Sequence, residues 1–394
     1  MRILMLNHFP LAGSGSGVYV HNIAKSLVEL GHQVCIVMPE NTTKFSCEED
    51  IKVHPVFFKR EEIIKGQLNF NFPCMDPHPR SNFLFQDMSK EQEDQYVGAF
   101  KKALEEEIRV FKPDVIHAQH IWILTGLLKD LGVPYIITSH GAEFITYRKT
   151  DRFDKYGRAA VEGCKRIIAI SDDNIKEISE KFPDCADKII YIKNGYNSRD
   201  FYKQNLDRKA VLKKYGLDEV EKIVLFVGRV SKLKGLDTLF KAARFYEKEN
   251  VLTLIAGDGE YRAELENMKK EFNLKNMVFL GNRKQAELNF LYNIADVLVL
   301  PSRKEALPLV AIEALACGTP AVVTNQSGMS NIITEEVGLT FEMDDDKMLA
   351  EQINKVLNKE VVFDEDVIIN HAKNNYSQEI LIEKLVKIFE ELKG

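Results

Sequence analysis

The sequence predicts an α/β protein of two doubly wound domains, each a parallel sheet with helices on both faces. Short apolar runs rich in β-branched residues alternate with helical patterns almost from end to end, as parallel strands joined by crossover helices require. A polar stretch at 194–215 interrupts this alternation, which then restarts. The length of 394 residues, at roughly 100–200 per domain, argues for two domains.

The first strand falls at Ile3–Leu6 and is followed by the glycine-rich turn Leu11–Gly17. A helix is expected from about Val18 to Leu30, where Gly31 stops it. Further strands are read at Val34–Met38, Val53–Phe57, Val115–His117, Tyr135–Thr138, Ile167–Ile170 and Ile189–Ile192. Their composition and their Gly, Pro or Asp flanks suit buried parallel strands. Helical patterns occupy Glu91–Phe111 and Asp172–Phe182. The turn signal Asn194-Gly195 marks the junction. Beyond it come strands at Ile223–Val227, Leu252–Ala256, Val278–Leu280, Val297–Leu300 and Ala321–Val323, and a final amphipathic helix at Ser377–Leu392. The expected domains are therefore 1–195 and 196–375, with a C-terminal helix, 376–394, returning to the first.

One segment fits no minimal α/β unit. Phe58–Lys90 carries Phe70, Phe72, Phe83 and Phe85 beside Pro73, Pro77 and Pro79. Loops this long are usually functional or disordered, and so many aromatics argue against disorder. A packed surface loop and an acceptor-facing segment both remain open.

Composition narrows the function classes. Hydrophobic residues at 45% and charged residues at 28% are ordinary globular values. With 53 basic and 59 acidic residues the net charge is −6, so the basic surplus of a general nucleic-acid binder is missing. The six cysteines show no C-x-x-C spacing and read as thiols in a reducing compartment. The N-terminal apolar run is too short for a signal-peptide core, and no run approaches 18 residues. The expected location is cytoplasmic, with a peripheral membrane contact left open by the basic, aromatic stretch Arg148–Arg166; a solvated helix face is the simpler reading of that stretch.

Several loops carry chemistry. In Leu11–Gly17 the glycines permit close backbone approach, and the helix behind them offers N–H groups to an anion. This is not a dinucleotide fingerprint, because Tyr19-Val20 stands where the third Gly or Ala should fall. Glu40, at the end of the second strand, still matches the position of a ribose-binding acid, so an NAD-dependent dehydrogenase is one alternative. Gly228-Arg229 and Lys234-Gly235 put two cations between a strand and a helix, suited to a diphosphate or to plain solvation. In Pro301–Thr324, Glu305 precedes a helix expected to begin at Pro308, and Glu313 lies within it. A carboxylate desolvated in so apolar a helix needs a partner, and a ribose diol offers two donors, while a helix-favouring Glu on a wet face needs none. His117, His120 and His140 fall at the C-terminal ends of strands, where open α/β sheets bind ligands. No nearby Cys or carboxylate completes a recognisable zinc set, so no metal is expected there. Asp344-Asp345-Asp346 reads as a helix cap rather than a metal site.

Taken in order, these motifs resemble a retaining glycosyltransferase of the GT-B type, in the family-4 (group 1) set. The resemblance runs from the glycine loop through Asp114-Val115-Ile116-His117, Ser139-His140-Gly141, Asn194-Gly195 and Gly228-Arg229 with Lys234-Gly235. It continues through Gly257-Asp258-Gly259-Glu260 and Pro301-Ser302 to Glu305 and Glu313 with Ala316-Cys317-Gly318-Thr319-Pro320. It implies two Rossmann-like domains facing a central cleft. In that family Arg229 and Lys234 would hold the donor diphosphate, Glu305 the sugar hydroxyls and Glu313 the nucleotide ribose. His140 would sit beside the transferred sugar. The backbone of Gly15, Ser16 and Gly17 would lie near its phosphates, and the backbone around Arg283 near the base. The family's E-x-F-G begins here as Glu305-Ala306-Leu307-Pro308. Pro308 has no N–H, so the donor role passes to Leu309 and Val310. His120, Phe70 and His78 are the acceptor-side candidates.

The implied reaction moves a hexosyl or N-acetylhexosaminyl group from a nucleoside-diphosphate sugar to a hydroxyl. The acceptor would be a small molecule, a glycan or a lipid-linked sugar. The nucleotide sugar is a substrate, and neither a cofactor nor a metal is expected. A catalytically silent sugar-binding subunit is the second alternative. Nucleotide, sugar, acceptor and oligomeric state are not readable from the sequence.

Overall fold

The computed structural model describes residues 1–61, 63–193, 195–246, 250–305, 308–326, 329 and 332–393. Asn194 of the expected junction and Ala306-Leu307 of the Glu305 motif lie outside the described residues. The chain divides into two units, 1–193 with 381–394, and 194–380.

The apolar runs of the first unit form a seven-stranded sheet from β1 (Arg2–Leu6), β2 (Gln33–Glu40), β3 (Ile51–Phe57), β4 (Val115–Gln119), β5 (Tyr135–Ser139), β6 (Arg166–Ala169) and β7 (Ile189–Tyr191). Its order is β3-β2-β1-β4-β5-β6-β7 and its pairings are parallel. β1 is central, with Ile3 facing Val34 on one side and Val115 on the other, and its residues after Arg2 are buried. The second unit has a six-stranded parallel sheet of β8 (Lys222–Val227), β9 (Val251–Ala256), β10 (Met277–Gly281), β11 (Val297–Leu300), β12 (Ala321–Thr324) and β13 (Gly338–Phe341). Its order is β10-β9-β8-β11-β12-β13. β13 has no counterpart in the sequence reading, because Gly-Leu-Thr-Phe is short and only its ends are fully buried.

Helix boundaries differ from expectation where side-chain capping decides them. The first helix spans Gly15–Glu29 rather than starting near Val18. Ser14 is its N-cap, with Oγ accepting from the Gly17 N–H at 3.0 Å. Without any side-chain cap, Pro308 is the N-cap, not the first residue, of helix Leu309–Ala316.

The long segment after β3 is packed. Phe58, Phe72 and Phe85 are fully buried with Tyr96 and Phe100 of helix Lys90–Val110. Phe70 fills the gap between Phe58 and Phe83, with ring centroids at 5.7 and 5.9 Å. This aromatic packing meets the cost of ordering a long connection whose named element among the described residues is the short 3-10 helix Phe85–Asp87.

The C-terminal helix Gln378–Lys393 packs in the first unit from Leu381 on. Leu381, Ile382, Leu385 and Phe389, spaced along one helical face, join a core of Ile3, Met5, Val20 and Val115. All six cysteines are free thiols. Among the described residues no helix is long and apolar enough to cross a membrane.

Because Phe389 is fully buried, Phe389→Ala should remove about 3–5 kcal/mol of stability. A lower urea midpoint at unchanged slope is the expected readout. A loss under about 1 kcal/mol would show that this helix is not part of the first unit's core.

Candidate functional site

In the second sheet the strand order reverses between β8 and β11, so the loops after these strands flank a crevice where open α/β sheets bind ligands. The loop after β8 carries Arg229 and Lys234, and the loop after β11 carries Glu305. The two loops nearly touch. Gly235 has φ +64°, and a Cβ there would strike the Pro301 carbonyl, so only glycine fits. This approach joins the Lys234 ammonium and the Glu305 carboxylate in an ion pair at a partly buried position. Arg229 instead pairs with Glu260 at 3.1 Å, both largely exposed. Such a surface pair is screened by water and exchanges readily for another anion.

Helix Leu309–Ala316 points its N-terminus from the same loop. Leu309 and Val310 supply its first two N–H groups, which have no carbonyl a turn earlier in the helix. Glu313, one turn in, is the carboxylate for which the sequence demanded a partner. It accepts a hydrogen bond from the buried Tyr292 hydroxyl at 2.8 Å. Burial dominates and pushes the Glu313 carboxyl up to about 7, with the Asp200 charge adding to it and Tyr292 opposing it. Arg283, after β10, folds back onto the Leu280 carbonyl and reaches Glu287 at 3.3 Å.

In the first sheet the reversal lies between β1 and β4. Gly17 sits where a Cβ would strike the Pro10 carbonyl, which explains the glycine. Its N–H is already engaged by Ser14, so of the expected Gly15–Gly17 donors only Gly15 and Ser16 keep an uncapped N–H. Ser16 Oγ is buried without a partner. Across from this loop, His140 reaches the Gln119 side-chain oxygen at 2.9 Å, and its ring lies 5.0 Å from that of His120. His120 adopts φ +66°, a strained backbone for a side-chain-bearing residue. His120 Nδ1 meets the Glu143 carboxylate at 2.9 Å. That carboxylate is fully buried and also accepts from Ser139 Oγ at 2.7 Å and the Ile121 N–H at 3.2 Å. Held this way, His120 leaves Nε2 buried and unpartnered, as is the Gln119 side-chain nitrogen.

Glu143, Gln119 and Tyr292 were missed by sequence reasoning. Glu143 follows His140 by three residues, and its position on a short helix, Glu143–Tyr147, was the available signal. His117 is buried, with Nε2 on Thr138 Oγ1 at 2.8 Å. His78 is carried to the glycine loop by the packed segment, its ring stacked 6.5 Å from Phe9. Phe70 is absorbed in the aromatic packing described above. Among the described residues, the one grouping with metal-ligand spacing is His21, Cys47 and Glu48, which includes none of the three histidines named from the sequence.

Two alternatives change standing. Glu40, the candidate ribose acid of a dehydrogenase, is buried and accepts from Arg80 at 2.6 Å and from the Asn41 N–H at 2.7 Å. In the basic stretch, Arg152 and Lys155 converge on Glu93 at 2.8 and 3.3 Å, and Arg148 meets Glu177 at 2.7 Å. These three charges are neutralised within the first unit.

The family model described as Glycosyltransferase Family 4 matches residues 13–199, and that described as Glycosyl transferases group 1 matches residues 207–375. The chain is similar to an uncharacterized glycosyltransferase of Methanocaldococcus jannaschii, 27% identical over 99% of this chain and 98% of that protein. It is 24% identical to the N-acetyl-alpha-D-glucosaminyl L-malate synthase of Bacillus anthracis, over 97% of this chain and 94% of the relative. Among solved structures, Anabaena HepE in complex with UDP and glucose matches with a TM-score of 0.72 at 16% identity, over 99% of each chain.

The buried groups of the first unit set its acid stability. Burial lowers His117 and His140 to about 3, and His120 and Ser139 outweigh burial to hold the Glu143 carboxyl at about 2. In the unfolded chain these groups take up protons near 6.5 and 4.3, so stability is present above those values and lost as pH falls. His117→Gln should flatten the fall between pH 5.5 and 4 by about 1.4 kcal/mol per pH unit in urea titrations. An unchanged slope would mean that His117 is protonated in the folded state.

Proposed function

The chain belongs to the group 1 and family 4 glycosyltransferases and has their GT-B fold, and from that premise we propose that it transfers a hexosyl or N-acetylhexosaminyl group from a nucleoside-diphosphate sugar to an acceptor hydroxyl, with retention and without a metal. The observation that carries this reading is the convergence of Lys234, Glu305 and the N-terminus of helix Leu309–Ala316 at the β8/β11 reversal. A diphosphate bound there meets an ammonium, a weakly held guanidinium at Arg229, and the first two N–H groups of the helix.

The chemistry follows from where charge develops. As the glycosidic bond breaks, negative charge grows on the departing diphosphate, and fixed cations and dipoles lower the barrier by stabilising it. Lys234 is the better placed of the two cations, because Glu305 already orients it. Glu305 in turn presents a carboxylate to sugar hydroxyls. The acceptor hydroxyl attacks the face from which the phosphate leaves, and its proton passes to that phosphate. Glu313 takes the ribose diol. On the first unit, His140 is assigned to the transferred sugar. The unpartnered polar atoms of Ser16, Gln119 and His120 support a hydroxyl-rich acceptor there. The dehydrogenase alternative is weakened, because Arg80 already occupies Glu40. A silent sugar-binding subunit would bind donor without turnover.

A thermal-shift screen with UDP, GDP, ADP and dTDP and their sugars identifies the donor, since a ligand that binds the native state raises its melting temperature. With the donor known, Lys234→Ala should lower kcat by roughly 10²–10³-fold, the scale of losing one preorganised electrostatic group. A raised KM at wild-type kcat would refute the leaving-group role. EDTA should leave turnover intact, and abolition rescued by Mn²⁺ would refute metal independence.

Glu313 adds a pH signature. Its carboxyl sits at about 7, and only the ionised form accepts from both ribose hydroxyls. Donor affinity should therefore weaken as pH falls below 7, and Glu313→Gln should bind weakly with that pH dependence gone. An unaltered pH profile in the variant would remove Glu313 from the ribose site.

A further inference from the structure

We infer that Arg303 is a positioning residue, whose guanidinium sets the separation of Lys234 and Glu305 by clamping the loop after β8 to the loop after β11; this rests on the diphosphate role proposed for Lys234. Arg303 lies two residues before Glu305. Its own N–H donates to the Leu233 carbonyl at 2.8 Å, next to Lys234. Its Nη1 donates to the Lys232 carbonyl at 2.6 Å. Nη2 reaches the Asp237 carboxylate at 2.7 Å, on the first turn of helix Leu236–Tyr246. Nε reaches Asp344 at 2.8 Å, in the turn after β13.

One side chain thus binds three chain segments, and its contacts at Lys232 and Asp237 flank Lys234 along the chain. The planar fork of arginine suits this, since its donors point in fixed directions and a lysine ammonium cannot meet all three partners together. Asp344 answers the clamp with an unusual backbone, φ +62°, and also accepts from Thr238 Oγ1 at 3.2 Å. The capping role read for the aspartate triplet belongs to Asp345, which accepts from the Met348 N–H at 2.9 Å. Asp344 is left to the clamp. The missing side chain at Gly235 lets the loops approach, and Arg303 holds them at that approach.

The test is a double-mutant cycle read by calorimetric titration with inorganic pyrophosphate, which isolates the diphosphate chemistry from base and sugar. Lys234→Ala should weaken binding about 10- to 100-fold, as for loss of a charged hydrogen-bond partner. Arg303→Lys should weaken it about tenfold by misplacing Lys234, but less than twofold in the Lys234→Ala background. Asp344→Asn tolerates the same backbone and should copy Arg303→Lys in smaller measure with an unchanged melting temperature. Equal losses from Arg303→Lys in both backgrounds would overturn positioning and leave a general structural role. Wild-type binding by Arg303→Lys would overturn it outright. If Lys234→Ala binds like wild type, or the wild type itself does not bind, the diphosphate reading fails, whatever Arg303 does.

Discussion

Parallel pairing is the constraint on which the rest depends. Parallel neighbours must be joined by crossovers, and the strand order of each sheet reverses once, between β1 and β4 and between β8 and β11. At each reversal the connections leave toward opposite faces and open a crevice at the strand C-termini. Several of the candidate residues gather at these two places. Lys234 and Glu305 stand at one, and Ser16, His120 and His140 at the other.

Within those crevices, charge is handled in two ways. The Glu143 carboxylate is fully buried and is met by His120, Ser139 and a backbone N–H, so it is held rigidly and stays ionised. A buried pair of this kind carries a desolvation penalty and is costly to break by removing one partner. On the second unit the pairs are wetter. Arg229 with Glu260 is largely exposed, and Lys234 with Glu305 is only partly covered. The exposed Arg229–Glu260 pair is the more loosely held, while the buried His120–Glu143 pair is fixed by further hydrogen bonds to the same carboxylate.

Glutamate 313 lies between these extremes. Its helix is apolar enough to desolvate the carboxylate, and Tyr292 provides one hydrogen bond without neutralising the charge. A carboxylate satisfied by a single neutral donor keeps acceptor capacity for more.

Much of this was legible in the chain itself. Strand positions followed from β-branched runs, because burial on both faces of a parallel sheet demands continuous apolar residues, and twelve of the thirteen strands among the described residues were foreseen. Short β13 was not, because four residues with half-buried centres carry too little pattern. The candidate residues were found by their place after strands, since backbone topology brings those positions together. Their partners were not: Tyr292 for Glu313, Glu143 for His120 and Arg80 for Glu40 lie 21 or more residues along the chain, and Arg303 with its partner Asp344 was not singled out as a pair. Periodicity and capping are local properties, so the amino-acid order determined strands, helices and loops. Which charge meets which depends on side chains brought within a few ångströms by strand order and loop closure, and only the tertiary structure decided that.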